Sequence, residues 1–150
     1  STDNKVSDYE ITSSDFSQLQ EQASIEQKML MVRFTADWCI PCKMMEKNVY
    51  GDARVQEVMR DYFLSLKVDS DSFDGINLKQ LYHVKRIPSV LFFDSNGELL
   101  AQHAKSMSSS AMLSILDELQ TRTINVVNDS LLTLSDNDTE VIEASIPMTK

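Results

Sequence analysis

The chain of 150 residues has two cysteines, and they stand three apart as Cys39-Ile40-Pro41-Cys42. Two thiols at that spacing suit thiol–disulfide exchange. A thiolate is the attacking species, and a second thiol one helical turn on can reach the same sulfur and close a ring. The flanks favour this chemistry. Met29 to Phe34 is an apolar run, broken by Arg33, and reads as a buried central strand. Pro41 suits the first turn of a helix, where its missing N–H would have no partner anyway. The order is therefore strand, short turn, cysteine, helix. It puts the Cys39 sulfur beside unpaired backbone N–H groups, whose partial positive charge favours a thiolate. The bland alternative is a static disulfide, but so short a loop removes little chain entropy. Two cysteines cannot complete a four-ligand zinc site within one chain.

The elements around this stretch follow from apolar periodicity. A short strand is expected near Tyr9-Glu10-Ile11. Asp15, with Gln18 at the capping-box position, opens a helix whose Phe16, Leu19 and Ala23 share one face. Cys42 to Val49 reads as helix, interrupted at Gly51-Asp52. Val55, Val58, Met59 and Tyr62 mark the next helix, and Phe63 to Val68 alternates as a strand. Asp69 to Gly75 reads as a polar loop, followed by a short helix marked by Leu78, Leu81 and Tyr82. Ser89 to Phe93 is a strand, and Asn96-Gly97 predicts a two-residue hairpin turn pairing it with Glu98 to Gln102. Met112, Ile115, Leu116 and Leu119 form a last amphipathic helix, capped by Ser108 or Ser109. The pattern is α/β, a mixed central sheet with helices on both faces.

Composition limits the partners. Against 14 Lys+Arg stand 23 Asp+Glu, which argues against nucleic acid and for a solvated surface. No apolar run approaches the roughly 18 residues of a membrane span. The expected state is a monomer. The sequence begins Ser-Thr-Asp without an initiator Met, as in a mature or trimmed form, so a signal or lipoprotein segment would not be visible. The eight methionines, among them Met29, Met31, Met44 and Met45, suit core filling better than copper binding. His83 and His103 fall in separate elements and read as surface or edge residues.

Trp38-Cys39-Ile40-Pro41-Cys42-Lys43 resembles the active site of the thioredoxin superfamily, whose usual form is Trp-Cys-Gly-Pro-Cys-Lys. A second match is Arg86-Ile87-Pro88-Ser89 before the strand Val90-Leu91-Phe92-Phe93, which resembles the family's cis-proline segment. Ala36-Asp37-Trp38-Cys39 through Lys43-Met44-Met45-Glu46-Lys47-Asn48-Val49-Tyr50 is similar to the DsbD-like branch of thiol:disulfide interchange proteins. The resemblance covers roughly Asp15 to Gln120. It implies a thioredoxin fold over residues 1–120, with its core at about 15–120. The C-terminal extension, 121–150, lies outside the resemblance; a packed hairpin, a linker and a partly disordered end are its readings, and partial order with no catalytic role is expected. Within that extension the apolar stretches are Ile124 to Val127 and Val141-Ile142.

The resemblance implies a thiol–disulfide oxidoreductase that reduces protein disulfides through a mixed disulfide, with Cys39 as nucleophile and Cys42 as resolving thiol. No cofactor is expected beyond the redox-active Cys39–Cys42 pair. Trp38, Ile40, Pro41, Ile87 and Pro88 would meet the substrate, with a cis bond at Pro88 freeing the Ile87 backbone to pair with an extended chain. The Trp38 indole could instead be a core-edge aromatic. Strong oxidants of the family carry a histidine between the cysteines, and its absence here tilts the reading toward a reductase. An oxidase or isomerase, and a peptide-binding module without turnover, are the other readings. The partners would be protein thiols and disulfides and an upstream redox protein. The compartment would be extracytoplasmic, periplasmic or lipid-anchored, with the cytoplasm as the alternative.

One departure bears on the chemistry. The family commonly has a buried aspartate six residues before the first cysteine, and Arg33 stands there in this chain. Glu46 matches a glutamate of the DsbD-like branch. Arg33 shares a strand face with Met31 and Thr35, so its head group should lie beneath the turn carrying Cys39. There it would favour the Cys42 thiolate, with Glu46 either holding the guanidinium or taking the proton. The bland alternative has Arg33 reaching solvent and Glu46 solvated on its helix.

Overall fold

Residues 9–10, 13–124 and 129 are described in the computed structural model. The chain divides into two units, Ser1–Leu116 and Asp117–Lys150. In the first, the elements run β1 (Tyr9–Glu10), α1 (Ser13–Glu26), β2 (Met29–Thr35), α2 (Ile40–Asn48), α3 (Ala53–Tyr62), β3 (Phe63–Asp69), α4 (Phe73–Leu81), β4 (Ser89–Phe93) and β5 (Leu99–His103). A last helix, α5, occupies residues 109–116 of this unit. In the second unit, residues 117–124 are helical, with the Thr121 hydroxyl donating to the Asp117 carbonyl. Residues 125–128 and 130–150, with the expected stretches Val126-Val127 and Val141-Ile142, lie outside the described residues.

The sheet order is β1-β3-β2-β4-β5. Strand β2 runs parallel to β3 and antiparallel to β4, and β4 is antiparallel to β5. A strand paired on both edges and covered on both faces must be apolar almost throughout, and in β2 every residue but Thr35 is buried. Leu30, Val32 and Phe34 point into one core with Leu66 and Val68 of β3, Leu91 and Phe93 of β4, Phe16, Leu19 and Ala23 of α1, and Leu78 of α4. Phe93 meets Phe16 and Tyr82 edge to face, with ring centroids at 5.7 and 5.2 Å. Met31 faces the other way, as does Arg33. On α3, Val55 and Met59 are buried, but Tyr62 of the same predicted face is 47% exposed.

Three local expectations differ from what forms. Helix α1 opens at Ser13, two residues ahead of the expected cap at Asp15. Helix α4 begins at Phe73, inside the stretch read as a loop, because the Ser72 hydroxyl accepts the Gly75 N–H at 2.9 Å and caps it. Gly75 is a helical glycine required by close approach: a Cβ there would lie 1.9 Å from the Asp69 carbonyl oxygen. The β4–β5 connection is longer than a two-residue turn. Both the Asn96 and Glu98 N–H groups donate to the Asp94 carboxylate at 2.9 Å, and Gly97 takes a positive φ of 88°. The aspartate holds a five-residue loop that asparagine–glycine alone does not explain.

The helix breaks are also backbone features. Gly51 separates α2 from α3 with its Cα against the Lys47 carbonyl, where a Cβ would fall 2.3 Å from the oxygen. Asp52 then caps α3, and the neighbouring Arg54 holds its carboxyl down at about 2. A carboxyl depressed in the folded state adds stability above its unfolded value and loses it as pH falls toward 2, so this cap outlasts most of an acid titration.

Gly75→Ala should therefore destabilise the domain by about 3 kcal/mol, since the clash is with backbone rather than a movable side chain. Urea unfolding of the variant measures the loss. A midpoint unchanged from wild type would mean that the loop before α4 yields freely.

Candidate active site

The site forms where β2 ends and α2 begins. Residues 37 and 38 turn the chain, closed by the Cys39 N–H donating to the Ala36 carbonyl at 3.1 Å. Cys39 has extended backbone angles and is the N-cap of α2; its sulfur accepts the Cys42 N–H at 3.3 Å. Pro41 occupies the first turn. The helix thus aims one of its unpaired N–H donors at the sulfur, the arrangement that favours negative charge there. Cys39 and Cys42 form a disulfide with their Cα atoms 5.3 Å apart. Both are buried, at 3% and 5% exposure.

Above the buried disulfide stands an exposed apolar rim of Trp38, Ile40 and Met44. Trp38 is not a core-edge aromatic: it is 66% exposed, and its indole N–H donates to the Asp71 carboxylate at 2.7 Å. Asp71 belongs to the β3–α4 loop, which is itself tied down. The Ser70 N–H donates to the Thr35 carbonyl at 2.8 Å, and the Asp71 N–H to the Asp69 carboxylate at 2.9 Å. Sequence reading missed Asp71. The available signal was the parallel pairing that brings the carboxyl ends of β2 and β3 together, Thr35 opposite Asp69. Met44 corrects the expectation of core filling, which holds for Met29, Met31 and Met45.

The Ile87–Pro88 peptide is cis. Ile87 packs against Ala36, Cys39 and Cys42, and Pro88 shares a small cavity with Cys42. His83 is exposed at the end of α4, where it takes a positive φ of 57°. His103 ends β5 with its ring against Phe92. Among the described residues no group of three or more His, Cys, Asp or Glu is arranged to hold a metal.

Beneath Cys42 lies a charged floor. The Arg33 side chain is 5% exposed and does not reach solvent; its guanidinium donates to Glu46 at 2.7 Å. The guanidinium also lies over the Tyr50 ring, 4.1 Å from its centroid, a favourable cation–π placement. Lys67 approaches the other Glu46 oxygen at 3.5 Å. Sequence reading placed Arg33 and Glu46 but missed Tyr50 and Lys67. Lys67 is the register partner of Arg33 on β3, a neighbour that appears only once strand pairing is known. Arg33, Glu46, Tyr50, Lys67, Cys42 and Pro88 all line the same cavity, of about 10 Å³.

A mixed sheet flanked by helices, with a disulfide at the N-cap of the helix after its central strand and a cis-proline beside it, defines the class of thioredoxin-fold thiol–disulfide proteins. The chain belongs to the thioredoxin-like family, whose model matches residues 10–95. Among curated relatives it is 38% identical over 98 residues to the thiol:disulfide interchange protein DsbD of Colwellia psychrerythraea, covering 63% of this chain and 16% of that one. It is 36% identical over 80 residues to the protein of the same name from Salmonella typhi, covering 53% and 14%. The chain thus spans about one sixth of the length of these relatives. Among solved structures, a thioredoxin from Thermus thermophilus superposes with a TM-score of 0.64 at 23% identity, over 75% of this chain and 87% of that one.

After reduction, the thiol at the helix N-cap should be alkylated first. Iodoacetamide mapping by mass spectrometry is expected to find Cys39 labelled ahead of Cys42; preferential labelling of Cys42 would reverse their assignments.

Proposed function

We propose that residues 1–120 act as a thiol–disulfide oxidoreductase that reduces protein disulfides, with 121–150 as a non-catalytic extension. The observation that carries this reading is the Cys39 sulfur at the N-cap of α2, accepting the Cys42 N–H, with the second sulfur already bonded to it. In the reduced form, Cys39 attacks a substrate disulfide as the thiolate. One substrate sulfur leaves as a thiolate and the other forms a bond to Cys39. Cys42, deprotonated, then attacks the Cys39 sulfur. The Cys39–Cys42 bond forms, the bond to substrate breaks, and the second substrate thiolate departs. Two electrons pass from the cysteine pair to the substrate, and an upstream redox protein must return them.

The surroundings support a chain-like substrate. Trp38 and Ile40 offer exposed apolar contacts beside Pro41, and Asp71 holds the indole in one orientation. Ile87 and Pro88 border the sulfurs from the opposite element. An extended segment passing Ile87 would bring its own disulfide toward Cys39. The direction rests on the residues between the cysteines, Ile40 and Pro41, which include no histidine. Likeness to proteins named for thiol:disulfide interchange supports protein disulfides as substrates and an extracytoplasmic setting. No helix among the described residues is long and apolar enough to cross a membrane.

Cys42→Ser should keep the first attack and lose the second, so a mixed disulfide accumulates and shifts on a non-reducing gel. Wild type should reduce insulin with no lasting adduct. If wild type reduces insulin while Cys42→Ser forms no adduct with it, the two-step scheme is wrong.

A further inference from the structure

Two cations occupy register-paired positions in the middle of this sheet, Arg33 on β2 and Lys67 on β3. Like charges on neighbouring strands repel, and burial of Arg33 sharpens the cost. Glu46 projects from α2 between them, one carboxylate oxygen 2.7 Å from the guanidinium and the other 3.5 Å from the Lys67 ammonium. Both oxygens are engaged by cations. Tyr50 closes the far side of the guanidinium, stacked at 4.1 Å. The cluster lines the cavity that Cys42 also lines, and two cations against one anion leave it with a net positive charge.

We propose that this cationic floor, rather than a carboxylate base, makes Cys42 competent as the resolving thiol. Arg33 and Lys67 are positioning residues that act through the field at the Cys42 sulfur, and Glu46 anchors them instead of receiving the proton. The inference rests on the reading of Cys39 as attacking and Cys42 as resolving thiol, and it gives Glu46 the anchoring role. In the mixed disulfide, Cys42 must lose its proton to water before attacking Cys39. A cation lining the same cavity favours the thiolate that remains. The charged or titratable groups that line the cavity with Cys42 are Arg33 from β2, Lys67 from β3, Glu46 from α2, and Tyr50 from the turn after it. The segment entering β4 adds only Pro88 and Ser89 to the lining. The cavity of about 10 Å³ is about the smallest that holds one water.

The two roles of Glu46 give opposite signs. If the cations act by their field, removing one moves the pH profile of mixed-disulfide release upward, and neutralising Glu46 moves it downward. If Glu46 is the proton acceptor, neutralising it slows release across the profile. The experiment is rapid mixing of each reduced variant with a disulfide-bonded peptide, following formation and release of the mixed disulfide from pH 5 to 9. Arg33→Met is expected to slow release near neutral pH by about tenfold, the effect of a one-unit shift in the thiolate equilibrium, and to alter formation less. Arg33→Lys should restore most of the rate, because the positive charge returns. Arg33 is buried and its loss could compromise folding, so Lys67→Met, at a side chain 42% exposed, gives a second reading: a smaller shift of the same sign. Glu46→Gln, which keeps an oxygen for the guanidinium, should shift release to lower pH. Slower release in Glu46→Gln, or wild-type profiles in both cation variants, would overturn the proposal. Such a result with normal trapping in Cys42→Ser would leave the two-thiol scheme standing, whereas absence of trapped adduct would remove the scheme itself.

Discussion

A guanidinium placed on the central strand of a sheet has to find an anion inside the protein. Arg33 is covered from both sides and from the neighbouring strands, and leaving such a charge without its partner costs about 3–5 kcal/mol. Glu46 answers it from the second turn of α2. That ion pair ties α2 to the face of β2 that carries Arg33, so the helix axis and the strand end are fixed relative to each other. The start of the helix then falls directly over the carboxyl end of the sheet, with Cys39 as its cap. The position of the sulfurs therefore depends on a charge pair that brackets them, six residues before Cys39 and seven after it.

The same geometry gathers the other parts of the site. Parallel β2 and β3 end together, which puts the Asp69–Ser72 loop beside Trp38 and lets Asp71 hold the indole. Antiparallel β4 starts where β2 ends, with Ser89 paired to Phe34, so Ile87 and Pro88 arrive beside the sulfurs on the other side. Gly75 and Gly51 allow backbone approaches that any side chain would block, and each serves this corner of the molecule. One sets the loop that carries Asp71; the other ends α2 where Tyr50 can cover the guanidinium.

Much of this was legible in the sequence because it depends on local chemistry. The central strand showed as a run of apolar residues, the helix start as Cys39 followed by Pro41, and the faces of α1 as Phe16, Leu19 and Ala23. What stayed hidden depends on pairing between distant segments. Lys67 became part of the site only through register with Arg33, and Asp71 only through the meeting of two strand ends. Gly75 looked like a loop residue because glycine usually marks one, yet here it serves a close contact inside a helix. Asn96-Gly97 suggested the shortest hairpin, but the Asp94 carboxylate organises a longer loop. Met44 departs from the core-filling expectation for methionine and lies exposed on α2.

The reduction potential of the Cys39–Cys42 couple tests the proposed reductase direction most directly. Equilibration of the purified protein with glutathione at defined ratios, followed by acid quench and mass spectrometry, gives the oxidised fraction. A donor of electrons to protein disulfides should lie nearer thioredoxin's roughly −270 mV than the roughly −120 mV of the strong oxidant DsbA. A value close to the latter would contradict the assignment and make this domain an oxidant of thiols.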